Sequence, residues 1–192
     1  MENNGTLIIS GFPGVGKSYF YNNYQNKFSM LDSDSSEFSW NKDSEGHNTK
    51  ERNPDFPNNY IQHIKKNIGK VDIIFVSSHD VVRKALKDND IKYIIIYPAK
   101  PCKEEYMNRY IKRGNDYNFI KLLETHWDCF LNELELDDFP TKCRLWNDEY
   151  LKDILVKDYC PMYKEFCSVN ETYADEYEGT FCNKCDCKTK LI

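Results

Sequence analysis

The string Gly11-Phe-Pro-Gly14-Val-Gly16-Lys17-Ser18 constrains this chain more than any other feature of it. It fits G-x-x-x-x-G-K-[ST] without deviation, directly after the apolar run Leu7, Ile8 and Ile9 and at the opening of a helix-like segment, which is the context a phosphate-binding loop requires. Glycines let a backbone curl around phosphate oxygens, and the N–H groups so exposed make an anion nest at the positive end of a helix. The expected triphosphate contacts are Gly11, Gly14, Val15, Gly16, Lys17, Ser18 and Tyr19. Lys17 would reach the β- and γ-phosphates, and the Ser18 hydroxyl would hold Mg²⁺. Such a loop implies a nucleoside triphosphate, ATP or another, but says nothing of the acceptor.

The remainder of the chain alternates between two patterns. Thr6–Ser10, Phe28–Leu31, Val71–Ser77, Ile91–Tyr97 and Lys142–Trp146 are short, rich in β-branched or aromatic residues and bounded by turn formers, so they read as five strands. Helices are expected over Lys17–Asn26, Asn58–Ile68, Val81–Lys87, Lys103–Arg113 and Asp116–Leu136. In the last, Ile120, Leu123, Trp127, Phe130, Leu131 and Leu134 recur at helical steps. Uniformly apolar strands such as VDIIFV and YIIIY imply burial on both faces, the habit of parallel sheets. The expectation is an α/β three-layer sandwich of P-loop NTPase type, with a five-stranded, mainly parallel sheet and a small Cys-rich C-terminal extension. The polar stretch Ser33–Pro57 is expected to be a long loop.

Composition bounds the partners. A net charge of −5 argues against broad non-specific nucleic-acid binding while leaving a local basic patch open. No segment approaches 18 consecutive apolar residues, so no membrane partner is expected, and the N-terminus lacks the marks of a signal peptide. A cytoplasmic protein is the expectation, or the host cytoplasm if the chain is phage-encoded, where cysteines stay reduced.

Leu31-Asp32-Ser33-Asp34 closes the second strand. Residues two apart in an extended segment face one way, so Asp32 and Asp34 can share a site beyond the carboxyl end of a strand. There Asp32 can organise Mg²⁺ through water, and either carboxylate can accept a proton from an attacking hydroxyl. Alternatively, these Asp and Ser residues simply make a turn or cap. The third strand offers only Asp80 as a further metal acid, and Asp80 equally suits an N-cap. His79 beside it suits either an acceptor contact or a turn.

A strand, GFPGVGKS, a helix, a second strand ending in DSD and a later helix with paired arginines resemble the small P-loop kinases of the adenylate, shikimate and gluconate kinase type. The strings DSDSSEFSW, RNPDFPNNYIQHIK, VSSHDVVRKAL and YPAK more closely resemble uncharacterised nucleotide-kinase-like proteins of phages and their bacterial hosts. The resemblance covers residues 5 to 158 and implies that Gly14, Gly16, Lys17 and Ser18 hold triphosphate and metal. It implies that Asp32 and Asp34 are acceptor or metal carboxylates, that Arg52 holds an anionic group of the acceptor, and that Arg109 and Arg113 close over the transferring phosphates. Physical logic supports the last pair, since positioned cations stabilise the charge of phosphoryl transfer and residues four apart share a helix face. The alternative is a solvated face pairing with Glu104 and Glu105. Phe38 and Trp40 either stack on a ring of the ligand or pack on the following helix.

Five of the eight cysteines lie in the last 34 residues. Cys182, Cys185 and Cys187 form C-x-x-C-x-C, and with Cys160 and Cys167 they offer five thiolates for the four places of a structural zinc, or remain unmetallated. The domain boundary is therefore expected near residue 158, with 1–158 a kinase-like domain and 159–192 a Cys-rich tail. Cys102, Cys129 and Cys143 read as small buried hydrophobes. The sequence thus points to an ATP- and Mg²⁺-dependent phosphotransferase whose small acceptor is a nucleotide or nucleoside. Two alternatives stand beside it: a kinase of polynucleotide ends or of modified bases in DNA, and a nucleotide-binding regulatory module or NTPase.

Overall fold

Nearly every residue of three segments is withdrawn from water: β1 (Leu7–Gly11), β5 (Ile73–Val76) and β6 (Ile94–Pro98). Strands buried on both faces belong inside a sheet covered by helices, and the computed structural model, which describes residues 3 and 5–155, places them there. With β2 (Met30–Asp32) and β7 (Thr141–Leu145) they form one mainly parallel five-stranded sheet in the order β2-β5-β1-β6-β7, flanked by helices. The edge strands β2 and β7 are the less buried ones. Two short strands, β3 (Trp40–Lys42) and β4 (Asn48–Arg52), pair separately. The tail 159–192, with Cys160, Cys167, Cys182, Cys185 and Cys187, lies outside the described residues.

The described chain divides into two compact units. The first comprises Met1–Gly11 and Tyr21–Tyr93. In it β5 pairs in parallel with β1, Leu7 opposite Ile73, and with β2, Met30 opposite the same Ile73. Helices α3 (Asn58–Asn67) and α4 (Asp80–Asp88) bury Tyr60, Ile61 and Ile64, and Val82, Ala85 and Leu86. The sheet begins later than the apolar run at Ile91 predicts. Asp90 takes φ 51° after the end of α4, and Ile91 turns back to donate its N–H to Leu86 O, sealing that helix end with an apolar side chain instead of extending a strand.

The expected loop 33–57 holds structure of its own. It forms the short helix α2 (Ser36–Ser39) and the β3–β4 hairpin. The hairpin turn is closed by Asp43, whose Oδ1 accepts from the N–H groups of Glu45 and His47, with Gly46 at φ +84°. Its strands are polar and mostly exposed on both faces, so the alternation that reveals a half-buried strand is missing.

The second unit comprises Phe12–Phe20 and the described chain from Ile94 onward. It contains β6 and β7, paired in parallel from Ile94 opposite Thr141 to Pro98 opposite Leu145, with α5 (Lys103–Lys112), α6 (Tyr117–Leu136) and α7 (Leu151–Leu155). A 3₁₀ turn, Lys100–Cys102, precedes α5. Asp116 caps α6 by accepting from Phe119 N at 3.0 Å. Leu123, Trp127, Leu131 and Leu134 form its buried stripe, and the Trp127 indole donates to Lys100 O at 2.9 Å. Cys102 and Cys143 are buried as expected, but Cys129 is exposed. It stands two positions from both Trp127 and Leu131, which on a helix is the opposite face. Among the described residues no helix is long and apolar enough to cross a membrane.

Candidate functional site

The glycine loop after β1 is defined by what its carbonyls do. Gly14 and Gly16 adopt φ of +84° and +100°, a left-handed conformation that costs L side chains roughly 1–2 kcal/mol. A Cβ on Gly14 would also stand 3.0 Å from a ring carbon of Tyr110 and 3.2 Å from one of Tyr106. From Phe12 to Gly16 every carbonyl oxygen has a protein donor. Phe12 O accepts from Val15 N at 3.3 Å, Val15 O from Leu151 N at 2.8 Å, and Gly16 O from Phe20 N at 2.9 Å. Pro13 O accepts from the Tyr110 hydroxyl at 2.9 Å, and Gly14 O from Arg109 Nη1 at 3.2 Å. The Gly14 and Gly16 amides make no hydrogen bond among the described residues. A backbone whose acceptors are consumed while the Gly14 and Gly16 donors stay spare has the polarity an anion requires.

Behind the loop, Arg109 is only 8% exposed. It pairs with Glu105 one turn earlier, donates through Nη2 to Glu149 O at 3.0 Å, and packs its guanidinium 4.4 Å from the Tyr106 ring centre and 3.9 Å from that of Tyr150. Glu105 in turn accepts from Asp148 N. Burial pushes the Tyr106 phenol above its ordinary value, and burial with the neighbouring Tyr106 does the same for Tyr110, so Tyr110 stays a donor at any physiological pH. Arg109 and Arg113, expected to act as a pair, part company: Arg113 is the exposed C-cap of α5. Lys17 is half-buried, while Ser18 and Tyr19 on the first turn of α1 (Lys17–Asn23) are exposed.

The candidate acceptor residues lie in the other unit. From Asp32 to Ser35 exposure alternates strictly, with Asp32 and Asp34 exposed and Ser33 and Ser35 only 4% and 7% exposed. Both Asp32 and Asp34 are thus open to solvent while the serines that follow each of them are not. Asp34 also makes a turn, its Oδ1 accepting from Ser36 N at 2.9 Å. Ser33 is tied at each polar group: its N–H donates to Phe75 O at 2.9 Å, its carbonyl accepts from the Tyr60 hydroxyl at 2.6 Å, and its hydroxyl meets His63 Nε2 at 3.2 Å. Burial, with a smaller push from Lys66, lowers the His63 imidazole below its ordinary value. Burial raises the Tyr60 phenol, and the nearby Asp34 and Asp32 carboxylates raise it further.

Phe38 packs against Tyr60 and His63 of α3, ring centres 5.1 and 4.7 Å away. Trp40 carries the Arg52 guanidinium 3.9 Å above its ring, which fixes Arg52 on the hairpin. His79 is the exposed N-cap of α4, with Asp80 the first helical residue. Sequence reasoning missed Ser33, Tyr60, His63, Tyr110 and Tyr150, and named Glu105 only as a surface partner of Arg109.

Among the described residues no group of three or more His, Cys, Asp or Glu side chains is placed to hold a metal ion. Mg²⁺ in nucleotide sites needs only one or two protein ligands beside phosphates and water, and Ser18 and Asp32 are oxygen donors of that kind. The chain matches no protein-family model and no curated protein.

Proposed function

We propose that the protein is an ATP- and Mg²⁺-dependent phosphotransferase with the three-layer sandwich of the small P-loop kinases, acting on a nucleotide or nucleoside. The observation that carries this reading is the glycine loop, whose five successive carbonyls are all held by protein donors within a G-x-x-x-x-G-K-[ST] motif. The sheet order supports it. β1 has β5 and β2 on one side and β6 and β7 on the other, and open α/β sheets bind ligands beyond the carboxyl ends of strands where the order reverses. The loop follows that end of β1.

In this reading the loop amides and Lys17 bind the β- and γ-phosphates; the Ser18 hydroxyl would hold the metal, and Asp32 is the carboxylate that would support it through water. When bound, Mg²⁺ would supply neutralisation of charge on the phosphate oxygens. Asp34, with one oxygen spent on Ser36, uses the other to orient the acceptor hydroxyl and take its proton. The new bond joins acceptor oxygen to the γ-phosphorus, the bond to the β-bridging oxygen breaks, and ADP leaves. Exposed Arg113 stabilises the transferring group, while Arg52 and His79 hold the acceptor.

Incubating the protein with Mg²⁺ and ATP against nucleosides, nucleotides and oligonucleotides, with products identified by mass, tests the reading. One acceptor should gain a single phosphoryl group, and Lys17→Ala should abolish the transfer while leaving the circular dichroism unchanged. Full activity in Lys17→Ala, or ATP hydrolysis with no acceptor phosphorylated, would overturn it.

A further inference from the structure

We infer that Tyr110 and Arg109 are positioning residues which lock the peptide planes of the glycine loop, so that Arg109 serves the phosphates from behind the backbone and not by touching them. The inference rests on the reading of residues 11–18 as a triphosphate loop.

A peptide plane has two faces to offer a ligand, and a flip of about 180° exchanges its N–H for its C=O. In a loop with left-handed glycines such flips are cheap, because glycine occupies both senses of φ with similar ease. One carbonyl turned inward would set a partial negative charge against the phosphate oxygens. The two planes flanking Gly14 are the ones most exposed to this hazard, and they are the two that α5 controls. The Tyr110 hydroxyl holds Pro13 O and Arg109 Nη1 holds Gly14 O. Leu151 N holds the next carbonyl, Val15 O.

Arg109 is built for this task. Glu105 Oε1 accepts from its Nε at 2.8 Å, Glu149 O accepts from Nη2, and the rings of Tyr106 and Tyr150 lie against its plane. A guanidinium with its donors committed on several sides is a strut, whereas one that swings onto a ligand needs exposure and spare donors. Arg113 has the exposure. Tyr110 adds a donor that burial keeps protonated. Arg109 also joins Gly14 O to Glu149 O, so the loop and the chain leading into α7 are held by one side chain.

Hydrogen exchange of the loop peptide, followed by mass spectrometry on the full chain without ligand, tests this independently of any activity. Tyr110→Phe removes one hydroxyl from an otherwise unchanged ring, so the fold is preserved. Exchange across residues 12–20 should accelerate severalfold in Tyr110→Phe and more in Arg109→Lys, whose single ammonium cannot serve both carbonyls. Calorimetric titration should show Mg·ADP and Mg·ATP weakened alike, by about threefold to tenfold for Tyr110→Phe, the worth of one hydrogen bond. Wild-type exchange and wild-type affinity in both variants would overturn the inference. So would an Arg109→Lys protein that binds ADP and exchanges as wild type yet turns over slowly, the signature of direct phosphate contact. Failure of the wild-type chain to bind either nucleotide would sink the triphosphate reading instead, and the exchange measurement would then decide the strut alone.

Discussion

At the scale of single residues, Gly14 shows how two independent constraints meet. Its φ of +84° would strain any L side chain, and a Cβ would press on the rings of Tyr110 and Tyr106, which would have to give way. Gly14→Ala should therefore cost at least the roughly 1–2 kcal/mol of the left-handed conformation and lower the melting temperature measurably. The glycine itself was legible in the motif, and so was the two-residue alternation that leaves Asp32 and Asp34 exposed. The tethering of Ser33 was not. Its partners Tyr60 and His63 lie 27 and 30 residues further along, and nothing in a run of Asp and Ser announces a hydroxyl held by an imidazole. Arg109 is the sharper case. The pairing with Glu105 that the spacing offered is present, yet the side chain is buried where a solvated face was the alternative to phosphate contact.

At the scale of elements, legibility follows hydrophobic period. The stripe of α6 was readable because Leu123, Trp127, Leu131 and Leu134 repeat at steps of three and four. Leu131 is fully buried, and Leu131→Ala should destabilise the protein by about 2–5 kcal/mol in denaturant unfolding, through lost apolar contact and the cavity left behind. The β3–β4 hairpin lies at the other extreme. Its order comes from the Asp43 turn, from Arg52 over Trp40 and from Phe38 on α3, none of which leaves a periodic trace. Polar composition made Ser33–Pro57 read as a loop, and a polar hairpin lacks the hydropathy alternation that would distinguish it from one.

Across the whole molecule, four tyrosines report on burial together. Tyr60, Tyr97, Tyr106 and Tyr110 all have phenols pushed up by desolvation, Tyr97 to about 12. The folded state keeps these protons after the unfolded chain has released them near pH 10, so stability is fully present below that pH and falls as pH rises through it. Thermal unfolding followed from pH 9 to 11.5 should show a steep loss, and absorbance at 295 nm should show these phenols ionising with unfolding and not before it. A gradual titration of all tyrosines near pH 10 in the folded protein would contradict the burial of these four side chains. The sequence by itself determined the loop with its glycines, the doubly buried strands and the apolar face of α6, because those depend on neighbours within a few residues and on a fixed helical or extended period. Tertiary structure alone decided that Arg109 and Tyr110 hold the carbonyls of a loop 95 and 97 residues away, that Ser33 is pinned by α3, and that Arg113 stays in solvent. The physical reason is that a hydrogen-bond partner is chosen by where two elements pack, and packing joins positions whose separation along the chain carries no pattern.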